Sequence, residues 1–240
     1  MHNATMLPGV FITFEGGDGA GKSTHMRFVV EQLRAHGFEV VQLREPGGTT
    51  VGEQLRDIVL DPKNDSISDV TELYIYEAAR AQIVSEVIKP ALERGAVVIC
   101  DRFADSTVAY QSYGRGIDRA SVEAANKLAC QGIWPDRTVF MTTGGDASVG
   151  LARAAEERAA DRLELAGIDF HERVARGYAA LAADNPKRFR MVVTSELRSD
   201  TARQVFLQIA DLFPSIDAAS LPYASLDCTA AAEATEGGVC

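Results

Sequence analysis

The sequence predicts an α/β domain in which helices flank a five-stranded parallel sheet. Short apolar runs alternate along the chain with longer segments whose apolar residues recur at helical spacing, a pattern typical of parallel strands joined by crossover helices. The 240 residues suit one such domain with a tail, and the 46% share of hydrophobic residues is ordinary for a protein with a buried core.

Five apolar runs are predicted to be the strands, because each is short and bounded by polar or glycine-containing turns. They cover residues 10–15, 38–43, 96–100, 138–142 and 190–194. Helices are predicted from Lys22 to His36-Gly37 and over 51–60, 69–94, 120–131, 170–183 and 201–212. In the longest of them, Ser68 is expected to cap the start and Pro90 to kink the end.

The predicted domain spans residues 1–213 and includes a mobile lid at about 144–165. Residues 150–164 are rich in Arg, Glu and Ala, a composition that predicts a helical flap. From Pro214 to Cys240 the periodicity ends and small and acidic residues dominate, which predicts a disordered tail; a tail docked on the domain is the alternative.

Charge and composition exclude several classes of function. A net charge of -10 argues against general affinity for nucleic acid or anionic membrane. The four cysteines show no zinc or redox spacing, and no apolar run approaches the roughly 18 residues of a membrane span. No signal peptide is recognised, so a cytoplasmic protein is expected.

The sharpest motif lies between the first strand and the first helix and matches G-x-x-x-x-G-K-[ST]. Glycines let successive N–H groups surround a polyphosphate, toward which the following helix points its positive end. Lys22 is then expected to reach the β- and γ-phosphates, while Ser23 is expected to ligate Mg²⁺. The motif predicts a P-loop NTPase fold, with an ordinary glycine-rich turn as the alternative. The predicted ATP-binding set is Gly16, Gly17, Asp18, Gly19, Ala20, Gly21, Lys22, Ser23 and Thr24.

A carboxylate ends the most apolar strand. Asp101 follows the run AVVIC and is predicted to hold Mg²⁺ with Ser23, directly or through water. A salt bridge at the strand end is the competing interpretation.

Residues for a second ligand follow the second strand and lie on the long helix. Arg44 is placed for an anion, because ligands of open α/β sheets bind beyond the carboxyl ends of the strands. Tyr76 and Arg80 lie one helical turn apart and offer a base a ring and a guanidinium. Packing plus a surface charge is the alternative for this pair.

These stretches together resemble the thymidylate kinase family over residues 10–213. The resemblance rests on FEGGDGAGKST (14–24), REPGGT (44–49), ELYIYEAARAQ (72–82), DRFADSTVAYQSYGRG (101–116), GIWPD (132–136) and DRLE (161–164). The first stretch is common to many NTPases. REPGGT together with the Asp-Arg and Ala-Tyr-Gln of residues 101–111, the DR–AYQ stretch, is far more specific.

The resemblance implies a substrate site for dTMP. It implies that Tyr76 replaces a Phe that stacks on thymine and that Arg80 contacts a thymine carbonyl. It further implies that Arg102 and Arg44 hold the acceptor phosphate and that Gln111 lies near the base. Asp18 is implied to approach the deoxyribose 3′-hydroxyl. A homodimer is implied as well, with the 69–94 helix as a candidate interface; core burial explains the apolar face of that helix equally well.

The lid is expected to supply catalytic charge. Some members of the family have an arginine inside the phosphate loop, where this chain has Gly19, and members without it take arginines from the lid. Arg153, Arg158 and Arg162 are available, and Arg153 and Arg158 are the candidates predicted to be catalytic, with Lys22 and Arg102. A solvated Arg/Glu helix face is the competing interpretation.

One position departs from the family pattern. The fourth strand generally ends in a Leu-Asp-Val-like stretch before the lid, whereas here Gly144 replaces the Asp and Asp146 follows. Either the loop is rearranged or that carboxylate is dispensable.

The reaction that this resemblance implies is ATP plus dTMP giving ADP plus dTDP. Two alternatives are a kinase for another nucleotide or a deoxynucleoside, and a nucleotide-binding module impaired in catalysis by the altered loop.

Overall fold

A computed structural model describes residues 8–144 and 161–228 of the chain, and its centre is a parallel sheet. Five strands pair in the order β2-β3-β1-β4-β5, all of them parallel. The strands are Val10–Glu15 (β1), Val40–Arg44 (β2), Val97–Asp101 (β3), Arg137–Thr142 (β4) and Phe189–Val193 (β5). The predicted fold class and all five predicted strands are confirmed.

The helices cover both faces of this sheet. They are Lys22–Ala35 (α1), Thr50–Leu60 (α2), Asp69–Ile83 (α3), Lys89–Glu93 (α4), Ala104–Thr107 (α5), Arg119–Cys130 (α6), Ile168–Asp184 (α7) and Arg198–Leu207 (α8). Wider π turns lie at Val84–Ile88 and Val108–Gly114, and 3-10 turns at Glu164–Ala166, Ala210–Leu212 and Ala218–Ser220.

Helix α3 shows how local chemistry sets an element's bounds. The Ser68 hydroxyl accepts a hydrogen bond from Thr71 N, as its predicted capping role requires. The predicted 69–94 helix is divided into α3, a π turn and α4, and Pro90 lies in the first turn of α4. Proline has no N–H and crowds the carbonyl four residues earlier, so a wider turn before it relieves the clash.

The sequence pattern did not predict the helical segment from Ala104 to Gly114. Its residues are buried almost all round, Thr107, Ala109 and Gln111 included, so no polar face alternates with an apolar one. Helical periodicity is readable only where one face meets solvent.

Two apolar clusters sandwich the sheet. Ile12 and Phe14 point to α1 and α8, while Phe11 points to the opposite face, where α4 and Phe103 lie. Strands buried on both faces are rich in apolar residues throughout, which explains the uninterrupted run in β1. A third cluster, around Phe140 and Tyr178, joins α7 to the sheet.

The expectation of disorder from Pro214 onward is wrong for residues 214–228. Ile216, Leu221 and Tyr223 are buried in the same cluster as α1 and α8. Three apolar side chains spaced across fifteen residues give no periodic signal, yet all three are buried in this cluster. The rest of the predicted tail, 229–240, lies outside the described residues.

Within the ranges 8–144 and 161–228, none of the helices has the length and apolar character to cross a bilayer.

Candidate active site

A cavity of about 650 Å³ lies at the carboxyl edge of the sheet, with the phosphate loop at its middle. β2 and β5 are the outer strands, so the cavity has two distinct ends. The β2 end is lined by Arg44, Glu45, Pro46, Tyr76, Arg80 and Gln111. The β5 end is lined by His25, Thr194, Ser195, Glu196, Arg198 and Thr201.

The loop from Gly16 to Gly21 takes a shape that only glycine permits at its critical points. Gly16 has φ 135°, and a Cβ there would overlap the carbonyl oxygen of Met141. Gly21 has φ 79° and occupies the N-cap of α1. The predicted context of the motif, between a strand and a helix, is confirmed.

Lys22 folds back over this loop. Its ammonium donates to Gly16 O at 3.0 Å and to Gly17 O at 2.8 Å, and the side chain is buried. Burial lowers its pKa, since the charged form loses water. A bound polyphosphate would restore a full negative partner to this charge.

Ser23 and Asp101 meet beside the loop. Ser23 Oγ lies 3.5 Å from Asp101 Oδ2, and Asp101 Oδ1 is buried without a hydrogen-bond partner in the part of the chain that the structure describes. A hydroxyl and a carboxylate are oxygen ligands of the kind that Mg²⁺ takes. These two residues therefore fit a magnesium ion next to a phosphate.

Arg102 lies at the centre of the cavity in a conformation that non-glycine residues rarely adopt. Its φ is 70°, and its guanidinium pairs with Asp18 at 2.8 Å and lies 5.2 Å from the Tyr110 ring centre. Burial alone would raise the pKa of Asp18, but the charges of Arg102 and Lys22 outweigh it and lower the pKa to about 2. Such backbone strain persists where the surroundings hold it, typically at functional sites.

Glu15, a residue that the motif analysis did not select, supports this conformation. Its carboxylate accepts from Phe103 N at 2.7 Å, from Ser106 Oγ at 2.6 Å and from Tyr178 OH at 2.9 Å. Burial and the neighbouring Asp105 raise the pKa of Glu15 to about 7. An acid directly before the glycine loop is the only signal in the sequence that could have pointed to it.

Arg44 is present at the β2 end but already has a partner. It makes a bidentate contact with Glu53 at 2.8 and 2.9 Å, and Gly48 N also donates to that carboxylate. The Arg44 hydrogen bond is the main cause that lowers the pKa of Glu53 to about 2. The side chain of Arg44 remains 48% exposed, so one face is open to the cavity.

Arg80 is the most tightly held side chain of the cavity. It is 1% exposed and donates to Glu45 at 3.0 and 2.7 Å, to Glu77 at 2.7 Å, and to Thr107 and Asn126 at 2.8 Å each. A guanidinium has five N–H bonds, and one on Nη2 has no acceptor among the described residues. That bond is left for a ligand.

Tyr76 and Gln111 complete the wall next to Arg80. Gln111 Nε2 donates to Glu72 at 2.9 Å, which leaves its carbonyl and second N–H for other partners. Burial raises the pKa of Tyr76, so its ring stays neutral. The two predicted base-side residues are thus brought together with Arg80.

The lid arginines divide into two groups. Arg162 donates to Glu72 at 2.6 Å and to Val59 O at 2.8 Å, so it joins its own segment to α2 and α3. Arg153 and Arg158, together with Asp146 and most of the predicted lid, lie outside the described residues.

Gly144 has φ 71°, and its N–H donates to Thr142 Oγ1 at 3.2 Å. A Cβ at this position would approach Val193 Cγ1 to 2.9 Å. The glycine therefore permits a turn after β4 that an aspartate would strain.

Three comparisons identify the relatives of this chain. A model of the thymidylate kinase family matches residues 14–205, which include the phosphate loop and both ends of the cavity. The chain belongs to the thymidylate kinase family. A thymidylate kinase of Pelobacter propionicus is 50% identical over 187 residues, covering 75% of this chain and 84% of that protein. One of Desulfovibrio desulfuricans is 44% identical over 202 residues, covering 81% and 92%.

The likeness extends to three dimensions. A crystal structure of thymidylate kinase from Ehrlichia chaffeensis superposes with a TM-score of 0.67 at 31% identity, covering 85% of this chain and 98% of that one. The resemblance read from REPGGT and the DR–AYQ stretch is therefore confirmed.

Proposed function

We propose that this thymidylate kinase family member transfers the γ-phosphate of ATP to dTMP, giving ADP and dTDP. The observation that carries the proposal is one continuous cavity in which the phosphate loop adjoins a guanidinium, Arg102, and a wall made by Tyr76, Arg80 and Gln111. Such a cavity holds a nucleoside triphosphate and a base-bearing monophosphate side by side.

The β2 end is proposed to recognise dTMP. The Tyr76 ring stacks on thymine, the remaining N–H of Arg80 donates to a thymine carbonyl, and Gln111 bonds the base edge. Arg102 and the open face of Arg44 hold the acceptor phosphate, and Asp18 faces the 3′-hydroxyl. An acceptor that lacked the phosphate would lose its charge–charge contact with Arg102.

The transfer requires positive charge around the phosphates rather than a strong general base. An oxygen of the dTMP phosphate, already anionic, attacks the γ-phosphorus as the bond from that phosphorus to the β,γ-bridging oxygen breaks and ADP leaves. Lys22 and the loop N–H groups stabilise the charge on the moving phosphoryl group, and Arg102 holds the two anions together. Arg153 and Arg158 are proposed to add charge when the lid closes.

Ser23 and Asp101 are proposed to hold Mg²⁺, which neutralises charge on the phosphates when it is bound. The buried, unpartnered Oδ1 of Asp101 supports this assignment. Aspartate to asparagine at this position keeps the shape and removes the charge, so we expect Asp101→Asn to weaken magnesium-dependent ATP binding selectively.

A homodimer and a cytoplasmic location are also proposed. Four large apolar side chains are exposed on the adjacent helices α2 and α3, namely Val51, Ile58, Val70 and Tyr74. A second copy of the chain would cover this face. Light scattering on the purified protein at micromolar concentration distinguishes a mass of two chains from a mass of one.

Turnover tests the proposed activity. ADP release would be measured with ATP, Mg²⁺ and a panel of dTMP, dUMP, dCMP, dGMP, AMP and thymidine, with Lys22→Ala as the inactive control. We expect the highest kcat/KM with dTMP and no turnover with thymidine. Preference for another acceptor would support the alternative kinase, and ATP binding without turnover would support the impaired module.

A further inference from the structure

The segment 214–228 lies beyond the family match, which ends at residue 205, yet it is built into the core. Tyr223 is 3% exposed and packs against Phe28 of α1, with the rings tilted at 33° and their centres 5.4 Å apart. The guanidinium of Arg203, on α8, lies 4.8 Å from the centre of the Tyr223 ring. The segment thus joins α1 to α8, two helices whose first turns line the β5 end of the cavity.

A carboxylate from the same segment reaches the first turn of α8. Asp227 Oδ1 accepts from Ser199 N at 3.1 Å. Hydrogen bonds from Ser199 lower the pKa of Asp227, so it stays ionised near neutral pH. The N-cap residue of α8 is Leu197, whose side chain has no oxygen. Asp227, which lies 28 residues after Ser199, supplies the missing acceptor.

The first turn of α8 in turn shapes the cavity wall. Thr201 Oγ1 accepts from Ser195 N at 2.8 Å, and Gln204 Nε2 donates to Ser195 Oγ at 3.2 Å. Ser195, Arg198 and Thr201 all line the β5 end. A change in the first turn of α8 would therefore shift Ser195 and the loop that forms this wall.

The phosphate loop lies after β1 in the centre of the sheet, and the acceptor groups occupy the β2 end. The β5 end is therefore the part of the cavity that remains for the nucleoside of ATP. This assignment rests on the proposed function, since it takes the two ligands to be ATP and a monophosphate.

We propose that Asp227 is a positioning residue for ATP. Its carboxylate caps α8 from a segment beyond the family match, and α8 in turn positions the residues of the β5 end that bind the nucleoside of ATP. The segment 214–228 therefore stabilises the binding site of ATP and leaves that of dTMP unaffected.

Binding measured without turnover separates this inference from the proposed function. Calorimetric titrations of the full chain with a non-hydrolysable ATP analogue and, separately, with dTMP would compare the wild type with Asp227→Ala, Asp227→Asn and Asp217→Ala. Asparagine keeps the capping oxygen. Asp217 is the matched control, because its carboxylate accepts from Ala219 N at 3.0 Å and so caps a turn of its own segment rather than α8.

We expect Asp227→Ala to raise the Kd of the ATP analogue about three- to tenfold, the range that loss of one helix cap allows, while the Kd of dTMP stays unchanged. Asp227→Asn should restore most of the affinity, and Asp217→Ala should leave both Kd values as they are. A lower thermal midpoint in Asp227→Ala with both Kd values intact would overturn the proposal, as would equal weakening of both ligands. Failure of the wild type to phosphorylate dTMP would contradict the proposed function, and the effect of Asp227 on ATP-analogue binding would still be measurable.

Discussion

At the β2 end of the cavity, buried ion pairs hold Arg80, whereas at the β5 end uncharged hydrogen bonds hold Ser195. Arg80 is fixed by two carboxylates, Glu45 and Glu77, all three nearly excluded from water. At the β5 end, Ser195 is held by Thr201 and Gln204. Buried charges cannot rearrange at low cost, so the β2 end is pre-shaped for one ligand, while the β5 end can adapt.

The largest effect is expected from breaking the ion pairs of the β2 end. Arg80→Met keeps most of the side-chain volume but leaves Glu45 and Glu77 buried without their cation. We expect the free energy of unfolding to fall by about 3–5 kcal/mol, as for other buried pairs that lose one partner. Urea denaturation followed by circular dichroism measures this change.

A surface pair is the matched control for Arg80→Met. Arg94 contacts Glu39 at 2.8 Å, with the two side chains 48% and 58% exposed. Arg94→Met should cost less than about 1 kcal/mol. Equal losses in the two variants would contradict the claim that the β2 end owes its shape to buried charge.

Removing the central guanidinium should affect catalysis next most strongly. For Arg102→Ala we expect kcat/KM for dTMP to fall about 10²–10³-fold, because the acceptor phosphate loses a cation inside the cavity. Steady-state kinetics with each substrate varied in turn separates this from an effect on ATP.

Arg119→Ala serves as the control for Arg102→Ala, since Arg119 pairs with Glu123 and Asp184 on the surface. If Arg102→Ala lowered the affinity for ATP as much as that for dTMP, Arg102 would not belong to the acceptor side alone.

A smaller effect is expected from the ring at the β2 end. Tyr76→Ala should weaken dTMP binding by about 1–3 kcal/mol, the usual value for one base stacked on one aromatic side chain. Tyr76→Phe keeps the ring and should bind dTMP nearly as well as the wild type. Titration calorimetry with dTMP measures both, and a strong loss in Tyr76→Phe would show that the hydroxyl, rather than stacking, carries the contact.

The last expected effect depends on pH and comes from the titration of Glu15. Its pKa in the folded protein is about 7, against 4.5 as its ordinary value, so the folded state binds this proton more tightly than the unfolded chain does. The stability that the protonated carboxyl contributes is complete below pH 4.5 and is lost as pH rises through about 7.

Glu15→Gln should remove that pH dependence. We expect the difference in unfolding free energy between pH 5 and pH 8 to be smaller in the variant than in the wild type, as measured by urea denaturation at both values. An identical difference in the two proteins would show that Glu15 has the same pKa folded and unfolded.

The sequence predicted the fold and the phosphate loop well for a physical reason. Strand β1, the glycines and Lys22 are adjacent in the chain, so their geometry is a local property that a short motif records. Tyr76 and Arg80 were likewise readable as one turn of a helix. Arg102 and Gln111 were assigned to the acceptor only through the family resemblance, because the DR–AYQ stretch meets REPGGT only in the folded chain.

What the sequence could not predict depends on distant contacts. The partners of Arg80, from Glu45 to Asn126, are separated from it by 35 and 46 residues, and no spacing rule joins them. The left-handed Arg102 is followed by Phe103, whose N–H donates to the carboxylate of Glu15 at the end of β1. The packing of Tyr223 between α1 and α8 was missed because one buried ring in a polar segment leaves no periodic pattern.

The most direct test of the central claim follows the γ-phosphate itself. ATP labelled with ³²P at the γ position would be incubated with the protein, Mg²⁺ and dTMP, and the products would be separated by chromatography. The two-ended cavity predicts label in dTDP, with little released as inorganic phosphate and none transferred by Lys22→Ala. Label found only in inorganic phosphate, with dTMP present at saturating concentration, would contradict the assignment of the β2 end to the phosphate acceptor.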